Sequence, residues 1–275
     1  MAIKDTTSFV DIHSHLVPGV DDGAADISSV LHSVGRMTRI GIRRILTTPH
    51  IRGSLTLDPD QLEIRLRDVT EAWERAADAI GEKYPDVEFR KGCEVLLDVP
   101  DADLSDARIR MAGTSFVLVE WPSLKLPSGT VGILHKIIRC GYRPIVAHPE
   151  RYSGMGEQFE LVSEWRGVGA YLQTNFGSLV GRYGGRAQGT AYRLLRRGWV
   201  DYMASDFHGH AGLEIYKDEA AAALKALGAE DVFNVLCRTN PSRLLLDEAP
   251  LSAPLLPAEK GFWARFRANL NSHLA

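Results

Sequence analysis

Two histidines stand two apart at His13-Ser14-His15, and an aspartate and a histidine repeat that spacing at Asp206-Phe207-His208. On a strand, residues two apart point to the same face, so each pair can address one ion. Between the pairs the chain places His50, Glu94, Glu120 and His148, with Asp21 and Asp22 close to the first pair. Imidazoles and carboxylates without cysteine are a donor set for Mn, Fe, Zn or Co, and the sequence does not choose among these metals. Buried groups of this kind are costly unless paired or metal-bound. A lone HxH or DxH says little. The joint pattern is what points to a metal centre.

The elements that must position these residues follow from the apolar patterning. Strand-like runs cover 9–16, 43–50, 87–97, 115–121, 143–149, 170–175 and 201–208. Helical periodicity fills 26–40, a long stretch from Pro59, and 129–140, 159–167, 186–198, 213–227 and 231–246. Asp26 suits an N-cap, Gly41 a stop, and Pro59 a first helical turn. Strand–helix alternation sustained over seven strands predicts a parallel sheet, either closed into a barrel or wide and open. Six of the seven runs end near His, Asp or Glu, the rim where β/α barrels carry their working residues. This unit spans 1–247. Three prolines mark 248–260 as a linker, and 261–275 reads as an amphipathic helix with Phe262, Phe266 and Leu270 on one face. That helix packs back on the unit or serves a partner or a membrane surface.

Six segments in order, FVDIHSHLVPGVDDG, TTPHIRG, GCEVLL, VLVEWP, VAHPERY and ASDFHG, resemble the polymerase and histidinol phosphatase (PHP) superfamily. Within it they are most similar to the bacterial manganese-dependent protein-tyrosine phosphatases of capsule and exopolysaccharide loci. The resemblance covers about 9–246 and implies an α/β fold, a distorted seven-stranded (β/α)7 barrel. It also implies three divalent ions, most often Mn. His13, His15, Glu94 and Asp206 would hold the first. Glu94 would bridge to a second completed by Glu120 and His148. Asp22, His50 and His208 would hold the third, with Asp22 favoured over Asp21 by the motif. Histidinol phosphatases usually carry histidine where Asp22 and Glu120 stand, so the carboxylates favour the tyrosine-phosphatase branch. One departure is that an arginine some relatives have after the last motif is replaced by His210.

The implied activity is hydrolysis of phosphotyrosine by a metal-bridging hydroxide, regulating a tyrosine kinase of polysaccharide synthesis through its tail. Three divalent ions bring six charges; four carboxylates and a hydroxide cancel five, leaving the centre near about +1 and attractive to phosphate. The alternatives are a small-molecule phosphoesterase such as a histidinol-phosphate phosphatase, and a non-catalytic metal-bound scaffold for a kinase. Arg151 and Arg52 follow metal-type residues and suit bidentate phosphate binding. Tyr152 reads as core. Arg182 and Arg186 flank a Gly-rich loop expected to line the substrate cleft. His32, His135 and His273 read as structural or solvated.

Cys237 and Arg243 match C-x5-R, the signature of cysteine-dependent phosphatases. That chemistry needs a cradle of backbone N–H groups, and here Pro241 removes one and no glycine helps. Three scattered cysteines, no secretory h-region and no apolar run near ~18 residues predict a cytoplasmic protein without disulfides or a membrane span. The net charge of -3 argues against nucleic acid as a partner and leaves a homo-oligomer open.

Overall fold

A computed structural model describes residues 8–257. The end of the expected linker and the helix expected over 261–275 lie outside the described residues. Among the described residues nine strand segments form: β1 Phe9–Asp11, β2 Ile42–Thr47, β3 His50–Arg52, β4 Glu88–Lys91, β5 Glu94–Leu96, β6 Phe116–Glu120, β7 Arg143–Ala147, β8 Tyr171–Asn175 and β9 Tyr202–Ala204. They pair in two sheets, β1-β2-β4 and β3-β5-β6-β7-β8-β9, and every ladder is parallel. In β6 the run Phe116, Val117, Leu118, Val119 is buried throughout, as a strand covered on both faces requires.

The second and third expected strands are each cut in two. Pro49 has no N–H for a ladder and ends β2, so the chain restarts as β3 at His50. On the neighbouring strand Gly92 marks the matching break. Its backbone runs so close to the next segment that a Cβ would stand 2.8 Å from Met111 Cα, a place only glycine fits. The two breaks lie side by side, joined by Gly92 N to Thr47 O at 2.9 Å and Glu94 N to Pro49 O at 3.1 Å. His50 and Glu94 therefore open new strands rather than end old ones.

The two sheets also meet on their other side. Ser14 bridges Phe207 in parallel sense, Asp206 N donates to His13 O at 2.8 Å, and His15 N donates to Phe207 O at 2.9 Å. The ladder here is a single bridge, not a continuous strand pair. The expected first and last strands shorten accordingly.

The helices are α1 Ile27–Arg39, α2 Pro59–Lys83, α3 Thr130–Arg139, α4 Phe159–Gly167, α5 Phe176–Leu179, α6 Gly184–Arg196, α7 Lys217–Lys225, α8 Glu230–Asn234 and α9 Asn240–Leu244. Asp26 caps α1 and Asp58 caps α2, with Pro59 in the first turn. The single helix expected over 231–246 is interrupted by a π turn at Val235–Thr239. Pro241, one turn on, withholds the N–H that an unbroken helix needs.

Cys237 sits in that π turn, fully buried, and burial pushes its thiol well above the usual range. Arg243 is spent on Ala249 O at 2.7 Å and on Glu248 at 2.8 Å. The C-x5-R match is therefore a helix segment with a buried thiol. Cys93 is likewise core, its thiol pushed to about 12 by burial, and Tyr152 is core with its hydroxyl oxygen accepting from Trp121 N at 2.9 Å. Among the described residues no helix is long and apolar enough to cross a membrane.

Candidate metal centre

The break at Pro49 and Gly92 and the bridge at Ser14 bring the chemistry-bearing residues to one place. All nine predicted residues fall into four groups whose donor atoms lie within 4.8 Å of one another: His15, Asp22, His50, His208; His13, His15, Glu94; His13, His148, Asp206; and His50, Glu94, Glu120. Asp22, His50 and His208 gather as expected, with His15 reaching the same space. His50 turns its other ring nitrogen to Glu94 and Glu120, so it stands between two of the expected groups rather than in one.

Glu94 is the hub. Its Oε2 lies 3.1 Å from His13 Nε2, 3.4 Å from His15 Nε2 and 3.3 Å from His50 Nδ1, and its Oε1 lies 3.1 Å from His148 Nε2. Oε2 is buried, yet none of its three neighbours is angled to hydrogen-bond it. A buried carboxylate oxygen in that state is costly. A cation at the convergence point would satisfy it.

The imidazoles are held from behind. His13 Nδ1 donates to Gln173 Oε1 at 2.9 Å, His15 Nδ1 to Asp21 Oδ2 at 2.8 Å, and His208 Nδ1 to the Asp206 carbonyl at 3.0 Å. Gln173 Nε2 donates to Asn175 Oδ1, which fixes the amide with its oxygen toward His13. Each bond selects the tautomer whose Nε2 faces the cluster with a lone pair, the arrangement metal-ligating histidines use. The Nε2 atoms of His13 and His15 then lie 3.4 Å apart, and two facing lone pairs need positive charge between them.

Electrostatics agree. Burial opposes charge on His13 and His15, but Glu94 and Asp206 outweigh it; His13 is raised to about 9 and His15 well above its ordinary value. Burial also resists ionisation of Glu94 and Asp206, and the surrounding imidazoles still hold both below the usual carboxylate range. Burial and the charge of Glu94 push Glu120 up to about 8. The cluster demands cationic charge, whether as protons or as metal ions.

Backbone strain accompanies it. His148 and Asp206 adopt φ 33° and 52°, the left-handed region that costs a side-chain-bearing residue. At Gly23 a Cβ would stand 2.2 Å from the His15 carbonyl oxygen. Glycine there lets the loop carrying Asp21 and Asp22 close over the histidine pair.

A profile described as capsular polysaccharide synthesis, CpsB/CapC, matches residues 9–246. The chain belongs to the CpsB/CapC family. Tyrosine-protein phosphatase YwqE of Bacillus subtilis (strain 168) is 26% identical over 262 residues, 91% of this chain and 97% of the relative. Tyrosine-protein phosphatase CpsB of Streptococcus pneumoniae is 25% identical over 251 residues, 87% and 99% of the two chains. A crystal structure from work on YwqE and CpsB, described as unique metal-dependent tyrosine phosphatases, superposes with a TM-score of 0.77 at 25% identity, covering 91% of this chain and all of that one. These similarities give the chain an α/β fold of parallel sheets and helices within the CpsB/CapC family.

The two predicted arginines part company in this CpsB/CapC chain. Arg151 pairs its Nη1 with Asp206 and lays its guanidinium 4.4 Å from the Tyr183 ring centroid. Arg52, on β3 beyond His50, is exposed, and its side chain makes no hydrogen bond or ion pair among the described residues. Arg186 and Arg151 line one groove, and Arg182 lies outside it. His210 is exposed and reaches the Asp22 carbonyl at 2.8 Å. His32 and His135 lie exposed on α1 and α3, as expected, and His273 lies outside the described residues.

Sequence reasoning weighed Asp21 only as the less favoured ligand beside Asp22, and missed Gln173 and Tyr183. Asp21 is no spare for Asp22: it accepts from His15, from His50 N at 3.0 Å and from Gly23 N at 3.0 Å. Burial opposes its ionisation, but these donors hold its carboxyl at about 2. Gln173 had a signal, standing two before Asn175 on one face of β8. Tyr183 had none beyond its Gly-rich loop.

Proposed function

We propose that this chain is a metal-dependent protein-tyrosine phosphatase that removes phosphate from phosphotyrosine on a protein, the tail of a polysaccharide-regulating tyrosine kinase. The observation that carries the reading is Glu94, ringed by four imidazoles with a buried oxygen that lacks a hydrogen bond. The family membership and the names of its relatives support the substrate class. In this reading the cluster holds three divalent ions, manganese first among the candidates. His13, His15, Glu94 and Asp206 serve one, Glu94, Glu120 and His148 another, and Asp22, His50 and His208 the third. The nine strand segments act as seven β/α units of a distorted barrel, closed at the Ser14–Phe207 bridge. Three unpaired cysteines are in keeping with the cytoplasm.

Bound ions supply an ionised water at neutral pH and offset the phosphate charge. The chain's own residues do the rest. Gln173, Asp21 and the Asp206 carbonyl hold three imidazoles in fixed tautomers, so nothing reorganises when charge develops. Arg151 spends Nη1 on Asp206 and one face on Tyr183, which leaves its other N–H donors to bind phosphate oxygens. The exposed side of the cluster, at Asp22, His50 and His208, admits solvent and substrate.

The test is elemental analysis of the purified protein, with turnover of a phosphotyrosine peptide before and after chelation and histidinol phosphate as comparison. We expect bound divalent metal, peptide turnover lost on chelation and restored by manganese, and little action on histidinol phosphate. Preference for histidinol phosphate would retire the protein substrate. Chelation without effect, together with loss of activity in Cys237→Ser, would retire the metal mechanism.

A further inference from the structure

Along one stretch of this chain the charge is all of one sign. The whole sequence has more acidic residues than basic ones, 35 against 32, yet residues 165–200 hold six arginines and neither Asp nor Glu. Three of the six, Arg186, Arg193 and Arg197, follow one another at spacings of seven and four through α6 and its C-cap. Those spacings put them on one face of a helix. Two contacts agree. Arg186 and Arg193 line the same groove, and Arg193 and Arg197 both lie over the Phe159 ring, their guanidinium carbons 4.1 and 4.6 Å from its centroid. At the rise of an α-helix the stripe is about 16 Å long.

The charges on this stripe are unmet. Elsewhere arginines find carboxylates, as Arg36 does with Glu214, Arg166 with Asp201 and Arg243 with Glu248. Among the described residues none of Arg186, Arg193 and Arg197 has such a partner. Arg193 spends one N–H on the Gly156 carbonyl at 2.9 Å, and Arg186 is exposed. Arg197 is exposed as well and lies near a second ring, 5.3 Å from the Trp199 centroid. A guanidinium laid on an aromatic face is held flat and keeps its edge N–H groups for a carboxylate. Three like charges in a row repel one another until an anion covers them.

The stripe also leads to the cluster. The groove that Arg186 and Arg193 line has a volume of about 650 Å³, and its wall includes Arg151, which is ion-paired to Asp206. We propose that the stripe docks an acidic stretch of the substrate polypeptide, to one side of its phosphotyrosine. Its length matches about five residues of extended chain, so the carboxylates it reads lie within that span. A polypeptide is favoured over an anionic membrane because two of the three arginines stand in a groove, where a chain can lie and a bilayer surface cannot follow. Glu157 also lines the groove and is exposed, so acidic residues of the substrate are favoured on the α6 wall and not on the wall facing it. The proposal rests on the phosphatase reading and adds which protein substrates that site prefers.

The experiment uses the full chain loaded with manganese and one phosphotyrosine peptide made with Glu, Gln or Lys in its flanking positions. We expect the Glu-flanked peptide to have the lowest KM, at least about tenfold below the Lys-flanked one at low salt, and the gap to narrow as salt is added. Equal KM for all three overturns the proposal and leaves the phosphatase reading in place. In the double variant Arg186→Gln, Arg197→Gln the gap should close to about twofold or less. In Arg186→Lys, Arg197→Lys, which keeps the charge but not the fork of donors, at least about a threefold gap should remain. A gap that survives the glutamine variant overturns the proposal, and so does equal loss in the lysine variant, because packing on Phe159 and not charge would then be the cause. Sedimentation with phosphatidylserine vesicles tests the other occupant; vesicle binding that the glutamine variant loses, with no preference among the peptides, overturns the polypeptide in favour of a membrane. If the unaltered protein hydrolyses none of the peptides, yet a labelled Glu-rich peptide binds it and not the glutamine variant, the stripe stands and the phosphatase reading falls.

Discussion

The side chains of His13, Glu94 and Asp206 are at most 3% exposed, whereas those of His208, His50 and Asp22 are 20%, 33% and 70% exposed. The cluster thus has a closed side and an open side. On the closed side His13 and His15 are backed by Gln173 and Asp21, and the carboxylates and histidines shift one another strongly. On the open side burial lowers His50 and His208, with the charge of His15 adding to it, so both stay neutral and ready to coordinate. The difference teaches that the two sides should not load or lose ions alike. An ion held on the closed side would be locked in by the fold. An ion on the open side meets water, and it is the one a substrate would meet first.

The largest effect expected is that of Glu94→Gln, which removes the carboxylate both sides share. Activity should drop at least about 10³-fold, the upper end of what one lost electrostatic partner costs, and bound metal should fall across the whole centre. Asp22→Asn tests the contrast directly. It should cost less activity and release about one ion by elemental analysis, with the rest retained; loss matching that of Glu94→Gln would erase the distinction between the sides. Smaller again are Gln173→Ala and Asp21→Asn, which leave the cluster intact but free the His13 and His15 rings. Metal affinity should weaken about 10–100-fold in each, read by competition with a chelating dye.

Acidity should also act on the closed side more than the open one. His13 near 9 and Glu120 near 8 hold protons that a metal must displace. Both pKa values are raised, so protons compete more strongly as pH falls, and uptake by metal-free protein should weaken from pH 9 to pH 7 with measurable proton release. Titration calorimetry in two buffers of different ionisation enthalpy would detect it; affinity indifferent to pH would count against these residues as ligands. The smallest effect belongs to the thiols. Iodoacetamide should modify exposed Cys140 and spare buried Cys93 and Cys237 in the native protein, with activity kept.

How much of this was legible in the sequence depends on range. The HxH and DxH pairs could be read because a two-residue period puts both side chains on one face whatever surrounds the strand. The cap at Asp26 and the first turn at Pro59 were readable for the same local reason. The cutting of two strands was not. Pro49 and Gly92 are visible as residues, but that the breaks lie side by side is a fact of strand pairing across some forty positions. The difference between Arg151 and Arg52 was equally hidden, because both follow a histidine closely and only the fold gives Arg151 an aspartate and an aromatic ring. The motif favoured Asp22 over Asp21 as a ligand, but that Asp21 points at His15 while Asp22 points at His50 and His208 depends on the turn at Gly23.

The restart of the chain at Pro49 and Gly92 has a consequence for how such a centre can change. Since His50 and Glu94 are each the first residue of a fresh segment, their orientation is counted from the interruption and not from the hydrophobic strands before it. Mutational drift in β2 or β4 can reshape the interior there without rotating either side chain. Deleting one residue from the short link 48–49 would instead turn His50 toward the opposite face and leave Glu94 without its outward neighbour. The interruption works as a clutch: it uncouples the part of the sheets that keeps the fold together from the part that carries the cluster.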